Sequence, residues 1–146
     1  MKIAIACDHR GYEAKRRLLP VLKSKGHVVE DFGCDNLSPC DYHDFALPAA
    51  MSIAEGKNEI GILMDGTGIG MCVAANKVKG IRAALVHDEV TARFSREKNH
   101  CNILCLGTDL LSEDQIRNIT DIFIDSKWTD GRHTERVRKV MEIEKL

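Results

Sequence analysis

The residues best suited to chemistry lie in segment 60–71, where a single carboxylate, Asp65, is followed at once by a glycine-rich stretch. The apolar run at 62–64 is typical of a strand covered on both faces of a parallel sheet. Glycines at 66, 68 and 70 let the backbone approach a ligand closely. Ligands of open α/β sheets bind beyond the carboxyl ends of the strands, near the amino end of the next helix. We therefore expect Asp65 to point into a pocket.

The glycine-rich stretch 66–70 does not match the common nucleotide-binding patterns. Residue 71 is methionine where G-x-G-x-x-G needs glycine, and the lysine of a P-loop is missing. A different use of such a turn is to aim backbone N–H groups at an oxygen that becomes negative during a reaction. Thr67 adds a hydroxyl that can donate or relay a proton. A tight turn without function would also explain the glycines, but it explains their density less well.

Two further groups of residues could bind or react with a ligand. Asp8 and His9 follow the first predicted strand directly, which puts them at the same sheet edge as Asp65. Arg132 and Arg136 are one helical turn apart and can converge on a single dianion, because guanidinium groups match phosphate oxygens. A solvated helix face would show the same charges, so the two readings of the arginines stay open.

The segment 98–102 leads into the last predicted strand and carries polar side chains. Its amides, such as Asn99, and the imidazole of His100 could hold hydroxyl groups. An ordinary surface histidine is the simpler reading of His100.

Composition excludes several classes of protein. At 146 residues the chain is expected to form one domain, residues 1–146. A net charge of −1 gives no overall field for nucleic acid or an anionic membrane. No apolar stretch approaches the ~20 residues of a membrane span, and no signal peptide is visible, so we expect a cytoplasmic protein. The six cysteines form no C-x-x-C pair, and no ligand cluster is apparent, so no metal is expected.

Hydrophobic periodicity predicts five strands that alternate with helices. The strands are predicted at 2–6, 28–32, 60–64, 82–86 and 103–106, and the helices at 12–25, 44–54, 69–77, 89–98, after the capping box at 112–115, and from about 134 to the end. Pro20 lies inside the first helix and predicts a kink or two shorter helices. The alternation indicates an α/β three-layer Rossmann-like domain: a five-stranded parallel sheet with helices on both faces and an extra C-terminal helix. That last helix could dock across a dimer interface.

Four motifs carry a resemblance to a known family. They are Asp8-His9-x-Gly11, the run DGTGIGM at 65–71 with AANK at 74–77, GIRAA at 80–84, and Gly131-Arg132-His133 with Arg136. In this combination, over nearly the whole chain, they resemble the ribose-5-phosphate isomerase B family, which includes the galactose-6-phosphate isomerase subunits. The resemblance implies a homodimer or tetramer without metal or nucleotide cofactor, with active sites near the dimer interface. It implies interconversion of aldose and ketose phosphates through an enediolate.

The resemblance also implies a role for individual residues. Asp65 would be the base, and Thr67 would assist proton movement. Phosphate would be held by His9, Arg132 and Arg136, and the sugar would be contacted by Asp8, Tyr42 and Asn99. The enediolate oxygen would face the glycine loop at Gly66, Gly68, Ile69 and Gly70.

The chain departs from the family pattern at three places. Many members carry cysteine where this chain has Asp65, and since an ordinary carboxyl has a pKa of ~3.9, the pocket should raise it. The histidine that opens the sugar ring in several members falls at Lys98, with His100 two residues later, so both are candidates for this step. A Gly-x-Arg element whose arginine contacts phosphate in some members ends here in Asp109. An anion there is expected to weaken phosphate binding.

Ribose 5-phosphate is the default substrate, with two alternatives. The same chemistry could act on another sugar, namely a hexose 6-phosphate, a tetrose 4-phosphate or an unphosphorylated sugar. The chain could also be a subunit that needs a paralogous partner. A different nucleotide-binding function is a more distant reading.

Overall fold

The computed structural model describes residues 1–146 and contains one five-stranded sheet in which every strand pair is parallel. All five predicted strands are present, with each boundary within about one residue of its predicted place. They are β1 (Lys2–Cys7), β2 (Val28–Asp31), β3 (Ile60–Asp65), β4 (Ala83–Leu85) and β5 (Ile103–Gly107). Their order in the sheet is β2-β1-β3-β5-β4.

Six α-helices and a final 3₁₀ turn complete the chain. The helices are α1 (Tyr12–Ser24), α2 (His43–Ala54), α3 (Ile69–Ala75), α4 (Glu89–Glu97), α5 (Glu113–Asp125) and α6 (Thr134–Glu142), and the turn spans Ile143–Lys145. The predicted capping box at the start of α5 is confirmed, because Ser112 accepts from the backbone of Gln115 while the Gln115 side chain accepts from that of Ser112.

Pro20 does not divide α1 into two shorter helices, and the helix runs through it without interruption. A proline removes the N–H that would bond to the carbonyl four residues earlier, here that of Arg16. Both Arg16 and Pro20 are exposed, so water can satisfy that carbonyl. The buried side of α1, with Leu18 and Leu22, remains packed on the sheet.

The helices cover both faces of the sheet, which confirms the three-layer architecture. One face packs against α1, α4 and α5 through side chains such as Leu22, Ala92 and Phe123. The other packs against α2 and α3 through small side chains such as Ala46 and Ala75. In the sheet, β2 and β3 lie on opposite sides of β1, so the direction in which the strands are added reverses there. A crevice is therefore expected above the carboxyl ends of β1 and β3.

The C-terminal helix α6 has no buried residue. Val140 and, just beyond the helix, Ile143 are exposed at 53% and 61%. Its apolar residues therefore have no full covering within this chain. None of the helices combines the length and the apolar character needed to cross a membrane.

The turn between β3 and α3 requires glycine at position 68. Gly68 has a φ of +81°, and a Cβ there would overlap Leu85 Cδ1 and lie 3.0 Å from the carbonyl carbon of Leu106. Gly80 has a similar φ of +86°, but a Cβ there would meet nothing within 4 Å. The two glycines share a backbone conformation and differ in the space around them.

We predict that Gly80→Ala lowers the free energy of unfolding by about 1 kcal/mol, the cost of a left-handed alanine. Gly68→Ala should lower it by about 3 kcal/mol or more, since overpacking against the backbone of β5 adds to the same conformational cost. Urea denaturation of both variants measures the difference. Equal losses would mean that the β3–α3 turn can move away from β5 freely.

Candidate active site

Asp65 lies at the carboxyl end of β3, where the turn that follows folds back over its carboxylate. The residue is 4% exposed. Its Oδ1 accepts a hydrogen bond from the N–H of Gly68, and its Oδ2 accepts one from the N–H of Met71 at 3.0 Å. Burial raises the pKa of Asp65 above its usual value, although these two N–H bonds oppose the shift, and the charges of Asp8 and Asp109 add to it. This is the direction expected from the sequence.

The same turn leaves three backbone donors unused. The N–H groups of Gly66, Thr67 and Gly70 make no hydrogen bond within the protein. Two other N–H groups expected to face a ligand are engaged, because Gly68 donates to Asp65 and Ile69 donates to Thr67 Oγ1 at 3.3 Å. The unused N–H groups can therefore bind a negatively charged oxygen beside the buried carboxylate.

Asp8 follows the neighbouring strand β1 and presents one free carboxylate oxygen. Its Oδ1 accepts from the N–H groups of Arg10 at 2.9 Å and Gly11 at 3.2 Å. Its Oδ2 has no partner in the protein, although the residue is only 6% exposed. The turn thus fixes the carboxylate and leaves an acceptor at the same edge as Asp65.

His9 is oriented by the loop that follows β2. Its Nδ1 accepts a hydrogen bond from the backbone N–H of Cys40 at 3.2 Å. A neutral imidazole whose Nδ1 is an acceptor carries its proton on Nε2. The free side of the His9 ring is therefore a hydrogen-bond donor.

Tyr42, immediately before α2, packs on the glycine turn. A Cβ added at Gly70 would lie 2.7 Å from the Cε1 of this ring. The Tyr42 hydroxyl has no hydrogen-bond partner in the protein, and the residue is 42% exposed. The absence of a side chain at position 70 thus lets Tyr42 reach the edge that holds Asp65.

The predicted site residues at 98–100 contact other parts of the protein. The ring of His100 stacks on Trp128 with centroids 4.8 Å apart and an angle of 10° between the planes. Lys98 Nζ lies 3.6 Å from the centroid of the Phe94 ring, and the Asn99 amide donates to the Phe94 carbonyl at 3.4 Å. Burial, with the charges of two nearby arginines, lowers the pKa of His100. Sequence reasoning missed Trp128, and its place just before the Gly-Arg-His motif was the only signal.

Three cations that form no ion pair lie around His133. Arg132 Nε donates to His133 Nε2 at 3.4 Å, and Lys98 and Arg136 line the same groove as His133. Burial and the charges of these three cations lower the pKa of His133. None of the three cations is among the ion pairs of the protein. Arg136 and Lys98 line a groove between α6 and the amino ends of β4 and β5. The group is suited to bind an anion.

The two groups of predicted site residues lie at opposite edges of the sheet. In the parallel register of β3 and β5, Gly61 is opposite Ile103 and Asp65 is opposite Gly107. Segment 98–100 precedes the amino end of β5, so it is separated from Asp65 by at least the length of the strand, about 13 Å at ~3.3 Å per residue. One chain therefore brings Asp8, His9, Tyr42 and the glycine turn to Asp65, and it does not bring the cations there.

Asp109 does not present an isolated negative charge, and the expected weakening of phosphate binding by this residue stays a prediction. It forms an ion pair with Arg10, whose Nε lies 2.8 Å from Asp109 Oδ2. Sequence reasoning gave Arg10 no role, although it occupies the unspecified position of the Asp-His-x-Gly motif. The available signal was an acidic residue at a position where the family pattern has arginine, because a buried or clustered acid needs a cation from elsewhere in the chain.

Comparisons with known proteins show the family of the chain. A family profile described as Ribose/Galactose Isomerase matches residues 3–140. The ribose-5-phosphate isomerase B of Clostridium thermocellum has a solved structure with a TM-score of 0.97 and 44% identity, covering 99% of this chain and 98% of that one.

Two curated relatives carry related names. A probable ribose-5-phosphate isomerase B of Mycoplasma pneumoniae is 40% identical, over 98% of this chain and 95% of its own length. The galactose-6-phosphate isomerase subunit LacB of Clostridium acetobutylicum is 38% identical, over 95% of this chain and 80% of its own. The chain therefore belongs to the ribose/galactose isomerase family of sugar-phosphate isomerases.

Proposed function

We propose that the chain interconverts ribose 5-phosphate and ribulose 5-phosphate, with Asp65 as the base. The observation that carries this proposal is a buried carboxylate with a raised pKa beside three unused backbone N–H groups. An aldose–ketose isomerase needs this combination, because it must remove a proton from carbon and hold the negative charge that results. The names of the relatives from Clostridium thermocellum and Mycoplasma pneumoniae support ribose 5-phosphate as the substrate.

In the proposed reaction, Asp65 takes the proton from C2 of the open-chain aldose and returns it to C1. Each oxygen of Asp65 accepts one hydrogen bond from the turn and keeps a second lone pair for this proton. The electron pair of the C–H bond forms the enediolate, whose oxygen accepts from the N–H groups of Gly66, Thr67 and Gly70. The Thr67 hydroxyl relays the remaining proton between O2 and O1.

The free polar atoms around Asp65 hold the rest of the substrate in this proposal. Asp8 Oδ2 accepts from a sugar hydroxyl, and the Tyr42 hydroxyl contacts the sugar from the side of α2. The Nε2–H of His9 donates to the phosphate. Each of these atoms lacks a partner in the protein, so a ligand can bind without breaking an existing hydrogen bond.

We infer that the complete site forms between two copies of the chain. The edge with Asp65 has the base, and the opposite edge has the unpaired cations Arg132 and Arg136, so neither edge is sufficient alone. A two-fold dimer would place the cations of each subunit above the Asp65 of the other and create two equal sites. It would also offer a covering for the exposed apolar residues of α6 and the chain end.

In the proposed dimer, segment 98–100 before β5 both contacts the sugar and positions Arg132. Lys98 and Asn99 line the groove with Arg136 and contact the sugar, with Lys98 as the residue that assists ring opening. His100 is held by Trp128, and we propose that this stack positions the connection that carries Arg132.

A hexose 6-phosphate is the second candidate substrate. The 38% identity to the LacB subunit supports it, as do the changes at positions 98 and 109. The sugar phosphate that the purified protein converts decides between ribose 5-phosphate and a hexose 6-phosphate.

We predict that the wild-type protein takes up deuterium into ribose 5-phosphate during isomerisation in D2O, followed by NMR, with galactose 6-phosphate as the comparison substrate. Asp65→Cys should keep measurable activity, because a thiolate can also remove the proton. Asp65→Ser, similar in size, should lose about 10³-fold or more, because a hydroxyl is a poor base at neutral pH.

The paired variants separate two roles of Asp65. Equal activity of the serine and cysteine variants would mean that Asp65 is not the base. No conversion of either sugar by the wild-type protein would contradict the proposed activity.

We predict an acidic limb in the pH profile of kcat for ribose 5-phosphate. The base must be ionised, so activity should fall as pH decreases through the pKa of Asp65, which burial raises above its usual value of 3.8. In Asp65→Cys the limb should move toward the higher pKa of a thiol. An unchanged limb in this variant would assign it to another group.

We predict complementation between Asp65→Ser and Arg132→Ala, each nearly inactive alone. In a random mixture of refolded subunits, half of the dimers would be mixed and each would contain one intact site, giving about a quarter of the wild-type activity. Activity no higher than that of the separate variants would mean that both residues act within one chain. Mixing Asp65→Ser with wild-type subunits controls for losses during refolding.

A further inference from the structure

The ion pair of Arg10 and Asp109 lies directly against the turn that carries the unused N–H groups. Both Nε and Nη2 of Arg10 donate to Asp109 Oδ2, the first at 2.8 Å. A Cβ at Gly66 would lie 2.7 Å from Arg10 Nε and 2.8 Å from Asp109 Oδ2. The guanidinium therefore occupies the space that a side chain at position 66 would take.

The backbone around the pair ties it to the carboxyl edge of the sheet. The Asp109 N–H donates to the Gly66 carbonyl at 3.0 Å. The Thr108 hydroxyl lies 3.0 Å from the Arg10 carbonyl oxygen and 3.2 Å from that of Asp65, and can donate to either. These contacts join β1, β3 and β5 at one point, so the guanidinium holds a defined position relative to Asp65.

Arg10 keeps most of its hydrogen-bonding capacity. A guanidinium has five N–H groups, and only two of them are used by Asp109. The side chain is 57% exposed and makes no other hydrogen bond. The remaining N–H groups can bind oxygens of a ligand while Asp109 continues to hold the other side of the group.

Arg10 also places a positive charge at an edge of the sheet that is rich in carboxylates. Asp8, Asp65 and Asp109 are close enough that the first and last affect the ionisation of Asp65. Three carboxylates without a cation would repel a phosphate dianion. Arg10 pairs with the outermost of them and is the only lysine or arginine that forms an ion pair with any of the three.

We propose that Arg10 binds the substrate phosphate from the carboxyl edge, with Asp109 as the positioning residue that holds its guanidinium over Gly66. The proposal rests on the proposed function for its substrate. Arg10 would supply, from the turn after β1, the positive charge that the family resemblance places at position 109. Arg10 would thus share the phosphate with His9 and with the arginines of the second subunit.

The test compares Arg10→Ala, Arg10→Ala with Asp109→Arg, and Arg16→Ala as the control. Arg16 pairs with Glu13 on α1 and contacts no site residue. Arg10→Ala should raise KM for ribose 5-phosphate, and the dissociation constant of inorganic phosphate, about tenfold or more with little change in kcat. The double variant should recover most of this loss, and Arg16→Ala should match the wild-type protein.

Two outcomes would overturn the assignment. In one, Arg10→Ala leaves KM and phosphate affinity within about twofold of wild type, the range expected of a surface ion pair with no ligand. In the other, kcat and thermal stability fall without a selective loss of phosphate affinity, which would mean that Arg10 only stabilises the turn between β3 and α3. If the alanine variant does not fold, Arg10→Gln removes the charge and keeps most of the side chain.

Calorimetric titration with inorganic phosphate separates this proposal from the proposed function. It compares the wild-type protein with Arg10→Ala even if no sugar phosphate is converted. Absence of turnover in the wild-type protein would contradict the isomerase activity, whereas equal phosphate affinity of the two proteins would contradict the role of Arg10.

Discussion

The carboxylate of Asp65 joins the end of β3 to the beginning of α3, and much of the site depends on this connection. Two N–H groups of the turn bind its two oxygens, so the turn must close over the carboxylate. Closure removes the carboxylate from water and raises its pKa, and it leaves the other N–H groups of the turn directed elsewhere. A basic carboxylate and a set of free donors thus result from the same fold of the backbone.

Parallel strands impose the second constraint. Every strand of the sheet presents its carboxyl end at one edge, so residues after β1, β3 and β5 gather there and those before β5 cannot. Asp8, Asp65 and Asp109 accumulate negative charge at this edge, while Lys98, Arg132 and Arg136 leave unpaired positive charge near the other. The two edges therefore carry charges of opposite sign, as the proposed contact between two copies of the chain requires.

The parts of the structure that follow from local rules were predictable from the sequence. Alternating strands and helices, the cap at Ser112 and the turn after Asp65 depend on periodicity and short-range hydrogen bonds. The sequence left open whether Pro20 divides α1, because the effect of a proline depends on whether the carbonyl it leaves unpaired reaches water. The pairing of Arg10 with Asp109, and the stacking of His100 on Trp128, join residues distant in sequence, and no local pattern reports such contacts.

The strand order also affects how the chain folds. β5 is inserted between β3 and β4, so β3 pairs with a strand that begins about 40 residues later, and such non-local pairings form slowly. During synthesis, β1 and β3 can pair before β5 leaves the ribosome, but one side of β3 then stays unpaired. The contacts of Thr108 and Asp109 with the turn form only after β5 is in place. The Asp65 carboxylate therefore reaches its final surroundings only after β5 has joined the sheet, so a chain that ends before β5 lacks that environment.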